Sequence, residues 1–331
     1  MIKTLLGAVA LSTLMISGAF AADVGPAIVF DIGGKFDKSF NESMFNGAEK
    51  FKKESNVAYG EFEIANEAQR EEAIRNFADK GYSPIIAAGF AQAAAVEKVA
   101  KEYPNLKFAI VDMVVDLPNV ESIVFKEHEG SYLVGMAAAM ASKTGKVGFV
   151  GGMDIPLIHR FACGYAQGAK GANKDAAVFQ NMTGDTGAAW NDPVKGGEIT
   201  KGQMAKGADV VYAAAGATGL GVLQAAADGG ALSIGVDANQ NYLHPGKVLT
   251  SMMKRVDVAV YNTMKDGIAG FKPGIHALGL KEGGVDYAMD DNNKALFTAD
   301  MTAKVEAAKA DIISGKLEVH DYMADSKCPV E

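Results

Sequence analysis

Apolar positions along this chain alternate between two spacings. Short runs at 26–31, 58–64, 83–89, 107–111 and 120–126 predict strands, most of them largely apolar. Between them lie segments with a helical stripe. In 39–54, Phe40, Met44, Phe45, Ala48 and Phe51 recur at helical spacing. Residues 67–80 form a second such segment, closed by Gly81, which suits a left-handed C-terminal cap. Residues 91–103 form a third, stopped by Pro104. This strand-helix order predicts a parallel sheet with helices on both faces.

A second series follows. Helical segments at 130–143, 157–173, 193–207 and 219–228 alternate with strands at 146–151, 176–182, 210–214 and 232–236. The layout repeats without obvious repetition of sequence, which predicts two similar lobes in tandem. In the tail, 248–254 reads as a strand and 256–269 and 304–314 as helices. The expected fold class is α/β: two doubly wound α/β lobes joined by a hinge, with a chain that crosses between them more than once. The expected division is 22–127 plus 249–275 for the first lobe and 128–248 plus 276–331 for the second.

The first 21 residues stand apart from this pattern. Lys3 supplies a short positive region, 5–20 is apolar, and Ala19-Phe20-Ala21 has the form of a signal peptidase site. The apolar run is short for a membrane span. No Cys stands at the cleavage site, so the expectation is a free periplasmic protein without a lipid anchor, cleaved after Ala21. The formal charge of −8 becomes one unit more negative without Lys3. An acidic secreted chain is a poor candidate for binding nucleic acid. The two cysteines, Cys163 and Cys328, lie in a compartment that permits a disulfide. Spacing alone leaves their pairing open, and Cys163, in an apolar helical stretch, reads equally well as a buried free thiol.

Most chemical motifs fail on inspection. Thr144-Gly145-Lys146-Val147 lacks the upstream glycine and the following Ser/Thr of a phosphate-binding loop. Gly216-Ala-Thr-Gly-Leu-Gly221 has its glycines in the wrong order for a dinucleotide fingerprint. There is no Gly-x-Ser-x-Gly elbow. His128, His159, His244, His276 and His320 are scattered rather than set at metal-ligand spacing. No catalytic group, metal or cofactor is therefore expected.

What remains is polar residues at the ends of predicted strands. Asp31, Asp112 and Asp237 each terminate an apolar run, Gly216 follows another, and Lys254 closes 248–254. In an open α/β sheet such positions face the ligand crevice. A single Asp there is more often a helix cap, but corresponding ends in both lobes point to a site. The segment Asp31-Ile-Gly-Gly-Lys-Phe-Asp-Lys-Ser-Phe-Asn41 delivers an aromatic, Phe40, and an amide, Asn41, next to one of these carboxylates. Trp190, the sole Trp, lies in a loop before Pro193 and could serve as a hydrophobic staple for the next helix. Paired with Phe40 it would make a two-sided clamp on a flat ligand, each face contributing roughly 1–3 kcal/mol.

These segments, with Phe125-Lys-Glu-His-Glu-Gly-Ser-Tyr-Leu-Val-Gly135, Gly148-Phe-Val-Gly-Gly-Met-Asp154, Gly164-Tyr-Ala-Gln-Gly168, Trp190-Asn-Asp-Pro-Val-Lys-Gly196 and Ile234-Gly-Val-Asp237, resemble the basic membrane protein family of substrate-binding proteins that serve ABC importers. The resemblance covers nearly all of the chain beyond the first 21 residues. It implies the type I periplasmic-binding-protein fold with three interlobe crossovers, a monomer, an ABC permease as partner and, in the family's nucleoside receptors, a purine base held between two aromatics. Phe40 and Trp190 match those positions, although Trp190 stands where a Phe is expected. By the same resemblance Asp31, Asn41 and Asp112 match residues at the base or the ligand's polar edge. Gly216, Asp237 and Lys254 match residues around the ribose. Three other readings stay open: the same fold holding a flavin, sugar or signalling molecule, an enzyme acting on nucleosides with strand-end carboxylates as acid and base, and a sensor that shares the fold.

Overall fold

The computed structural model describes residues 24–330. The segment read as a signal peptide lies outside them. The first sheet is built from β1 (Ala27–Phe30), β2 (Gly60–Glu63), β3 (Ile85–Ala87), β4 (Phe108–Val111) and β5 (Val120–Phe125). They are joined through α1 (Phe40–Ser55), α2 (Gln69–Asp79) and α3 (Ala93–Glu102). All are parallel. The central strands β1, β3 and β4 are buried at every position. That is why their sequences read as unbroken apolar runs rather than as alternation. The edge strand β2, Gly-Glu-Phe-Glu, is mostly exposed and charged, a composition that discourages pairing with another chain.

The second series comprises α4 (Glu127–Ala141), β6 (Lys146–Met153), α5 (Pro156–Ala172), β7 (Ala177–Gly184), α6 (Pro193–Ala205), β8 (Val210–Ala214), α7 (Thr218–Asp228), β9 (Leu232–Asp237) and β10 (Val248–Lys254). Then come α8 (Val256–Ala269), β11 (Gly274–Leu278), β12 (Val285–Tyr287), α9 (Ala299–Ile313) and α10 (Tyr322–Asp325). The two sheets have the orders β11-β5-β4-β3-β1-β2 and β12-β10-β9-β8-β6-β7. The chain passes between them three times: from β5 to α4, from β10 to α8 and from β11 to β12.

These pairings shift the expected lobe boundaries. The expected division places 249–254 in the first lobe, yet β10 lies parallel to β9 and antiparallel to β12 in the second sheet. The return to the first lobe begins only with α8, which packs on α1. It ends with β11, which extends the first sheet beside β5 through Leu278 rather than stopping at 275. The sequence of β11, Gly-Ile-His-Ala-Leu, is short and largely exposed, so no apolar run announced it. The last long helix begins at Ala299, not 304, because Thr298 caps it by accepting the Met301 N–H. The two cysteines are bonded, with Cα atoms 5.5 Å apart. The bond ties the C-terminal segment to α5, so the free-thiol reading of Cys163 falls.

Candidate functional site

Parallel strands end on the same edge of each sheet, and the two edges face one another across the hinge. A partly open cavity lies between them. All eight residues singled out from sequence line it: Asp31, Phe40, Asn41, Asp112, Trp190, Gly216, Asp237 and Lys254.

Asp31 follows β1. Its Oδ1 accepts from the Ile32 N–H at 2.8 Å and from Arg70 Nη2 at 3.1 Å. Arg70, on α2, therefore sits behind the carboxylate. Burial raises the Asp31 carboxyl above its ordinary range, and these two donors pull it back. Gly89 lets the group sit there, since a Cβ at that position would come within 2.8 Å of Asp31 Oδ2. Asn41 lines the cavity, but its amide is committed elsewhere. Its Nδ2 donates to the carbonyls of Asp31 at 3.2 Å and Gly34 at 3.3 Å, and its Oδ1 accepts the Asp31 N–H at 3.2 Å. Both amide hydrogens thus brace the 31–41 loop. Asp37 supports the same loop by accepting the N–H groups of Ser39, Asn41 and Glu42 at the start of α1. Burial pushes its carboxyl up to about 6.

A second polar group draws on both lobes. Lys254, at the end of β10, is 2 % exposed. Its Nζ lies 2.7 Å from the Asp112 carboxylate of the first lobe and 2.9 Å from Glu127 Oε1. It also stands 5.3 Å from the Phe40 ring centre and 5.5 Å from that of Phe161, within cation–π range. Burial alone would lower the lysine pKa, but Asp112, Glu127 and Asp237 hold it well above its ordinary value. Burial pushes Asp112 and Asp237 up to about 6 despite the opposing pull of Lys254. Both aspartates adopt positive φ, 69° and 65°, which Asp tolerates better than most residues. Asp237 also accepts a hydrogen bond from the Ser39 hydroxyl across the lobes.

Trp190 closes the cavity from the second lobe. Its indole lies on the backbone of Gly152 in β6, where a Cβ would fall 2.2 Å from Cζ3. Trp190 also meets Gly33 of the first lobe, where a Cβ would stand 3.8 Å from that of Trp190. The loop is fixed by Thr218, whose hydroxyl accepts the Asp192 N–H at 2.7 Å and donates to Ala189 O at 2.8 Å. Asp192 caps α6 by accepting the Lys195 N–H. Gly216 lies against Trp190.

Sequence reasoning passed over several residues here. Phe161 and Leu157 line the cavity from α5, where a helical stripe makes them look like core. Glu127 is wholly buried, yet at the head of α4 it looks like an ordinary first-turn acid. Arg70, inside an exposed-looking charged helix, gave no signal at all.

A cleft between two doubly wound lobes, with polar strand ends from both lobes around one cavity, defines a hinged solute-binding protein. Known proteins carry this further. The family model for Bmp, ABC transporter substrate-binding protein PnrA-like, matches residues 26–322, and the chain belongs to that family. It is 36% identical over 330 residues to the ABC transporter nucleoside-binding protein BmpA of Lactococcus lactis subsp. cremoris, covering 92% of this chain and 91% of that protein. An uncharacterized lipoprotein of Pyrococcus furiosus is 36% identical over 277 residues, covering 79% of this chain and 69% of that protein. The crystal structure of an ABC transporter system solute-binding protein from Aeropyrum pernix K1 superposes with a TM-score of 0.83 at 31% identity, covering 89% of this chain and 92% of that one. The protein is thus a substrate-binding protein of an ABC transporter. Among the described residues no helix is long and apolar enough to cross a membrane.

Proposed function

We propose that the protein is a periplasmic receptor that closes on a purine nucleoside and hands it to an ABC permease. The observation that carries this reading is the pairing of Phe40 and Trp190, from opposite lobes, around one cavity that also holds two distinct polar groups. In this reading the two rings hold a planar base by stacking. Asp31, backed by Arg70, accepts from N–H donors on the base edge. Asp237 accepts from ribose hydroxyls and Lys254 donates to them.

Charge supports a nucleoside over a nucleotide. Asp31, Asp37, Asp112 and Asp237 line the cavity, and Lys254 is the one basic residue among the lining positions. A phosphate would meet a surplus of carboxylates in a site of low polarity, where like charges repel strongly. The similarity to a relative named as nucleoside-binding points the same way. In this reading Asn41 acts on the ligand only through the loop it braces. Closure needs only that the ligand prefer the closed state.

Thermal-shift titration with adenosine, guanosine and inosine tests the ligand, and mass spectrometry of whatever co-purifies identifies it independently. Stabilisation by a flavin or a sugar, with none by nucleosides, would replace the ligand while leaving the receptor. Turnover of a bound nucleoside would favour the enzyme reading instead. We also propose export, cleavage after Ala21 and a monomer without a lipid anchor. N-terminal sequencing and mass determination of the protein from its native cells check these points, and acylation of the mature chain would overturn the last.

A further inference from the structure

Lys254 is gripped from behind as well as from across the cleft. Glu127 lies 2.9 Å from it through Oε1. The other oxygen, Oε2, accepts from Arg160 Nη1 at 3.1 Å, and the same nitrogen donates to Phe125 O at 2.8 Å. Arg160 is fixed in turn by Asp321, with Nε to Oδ1 at 2.8 Å and Nη2 to Oδ2 at 2.9 Å. Asp321 belongs to neither sheet. It lies in the C-terminal segment that the Cys163–Cys328 bond ties to α5. Gln167 reinforces the tie by donating to His320 O and accepting the His320 N–H, both at 2.9 Å.

We propose that Glu127, Arg160 and Asp321 are positioning residues for Lys254, so that the C-terminal segment sets ligand affinity without touching the ligand. This rests on reading the cavity as a nucleoside site. Lys254 faces three carboxylates, those of Asp112, Glu127 and Asp237. With its full charge turned to Lys254, Glu127 would draw the ammonium away from the cleft. Arg160 occupies one of its oxygens and offsets its charge. The guanidinium can hold that orientation because its fork is matched by a carboxylate on the far side. His128 is the other cationic candidate there, its Nδ1 3.9 Å from Asp321 Oδ1. Burial lowers its pKa, so at neutral pH it leaves Asp321 to Arg160.

Asp321→Asn is a clean perturbation. It keeps the shape and the acceptor that caps Met323 N–H at 2.9 Å, and it removes the charge together with the acceptor that takes Arg160 Nη2. With inosine, guanosine and adenosine as probes in calorimetry, affinity should fall about tenfold, within the range of coupled neighbours. Asp321→Glu should recover most of it, and Arg160→Lys, which keeps charge but loses the fork, should not. A purely structural segment would lower the melting temperature and leave affinity unchanged well below it, which would overturn the proposal. A second arm needs no ligand: urea unfolding of Asp321→Asn with and without Lys254→Met. Non-additive effects support the chain of contacts, and additive effects refute it. Wild-type protein that binds none of the three nucleosides would sink the ligand reading alone, leaving the unfolding cycle to decide this one.

Discussion

Replacing Gly152 by Ala offers a sharp test of the aromatic clamp, because it changes the ring position without removing the ring. A Cβ at 152 would lie 2.2 Å from Cζ3, 2.5 Å from Cε3 and 3.0 Å from Cη2 of Trp190. Carbon atoms settle at about 3.5–4.0 Å, so the indole must lift off β6 by roughly 1–1.5 Å or tilt. One stacking face is worth roughly 1–3 kcal/mol, and its loss should weaken nucleoside binding by about 5- to 150-fold. Overpacking itself costs about 1–3 kcal/mol of stability, so binding must be measured where the variant is fully folded. Calorimetry gives the affinity, and emission from Trp190, the sole Trp, reports the ring's surroundings. Adding Trp190→Phe to Gly152→Ala should recover much of the loss, because the smaller ring leaves room for the methyl group. If Gly152→Ala binds within twofold of wild type while the Trp190 emission shifts, the ring moves without consequence and the stacking argument fails.

Three further outcomes follow from the same geometry. Hydroxyls donating to Asp237 favour its ionised form, so nucleoside affinity should be full above about pH 6 and fall as pH drops through the value of about 6 to which burial pushes Asp112 and Asp237. Unliganded stability should run the other way. A carboxyl raised from 3.8 to about 6 binds its proton more tightly when folded, so stability rises as pH falls across that window; calorimetry and thermal melts over the same pH series separate the two trends, and parallel trends would refute the assignment. Gln240 Nε2 donates to Lys38 O across the lobes at 2.9 Å while its Oε1 accepts the Val236 N–H at 2.9 Å. Gln240→Ala should reduce affinity by about 2- to 10-fold, the worth of one net hydrogen bond, and small-angle scattering should show less closure at a given ligand concentration. The Cys163–Cys328 bond spans 165 residues, and its replacement by two serines should lower unfolding free energy by up to about 5 kcal/mol; a melting temperature that does not move would show that the C-terminal segment is held by its polar contacts alone.

Local sequence determined the elements and their order, because strands buried on both faces must be apolar throughout and helices packed on them must carry a stripe. Val210–Ala214 is legible for that reason, and so are the carboxylates that end the strands. All eight nominated residues fell around one cavity because parallel strands carry their ends to one edge. The short, exposed edge strand β11 escaped: it joins its sheet through backbone hydrogen bonds that any sequence can make. The placement of 248–254 escaped too, since strand pairing is a long-range choice and β10 found β9. What only the tertiary structure decided is the division of labour among polar groups. In sequence Asn41 is an amide beside a strand end; in the fold its hydrogens belong to the loop backbone. Arg70, Glu127, Arg160 and Asp321 are dispersed along the chain, yet they stand behind Asp31 and Lys254. A buried charge needs a partner, and nothing in a linear sequence says which distant residue the packing will bring to it.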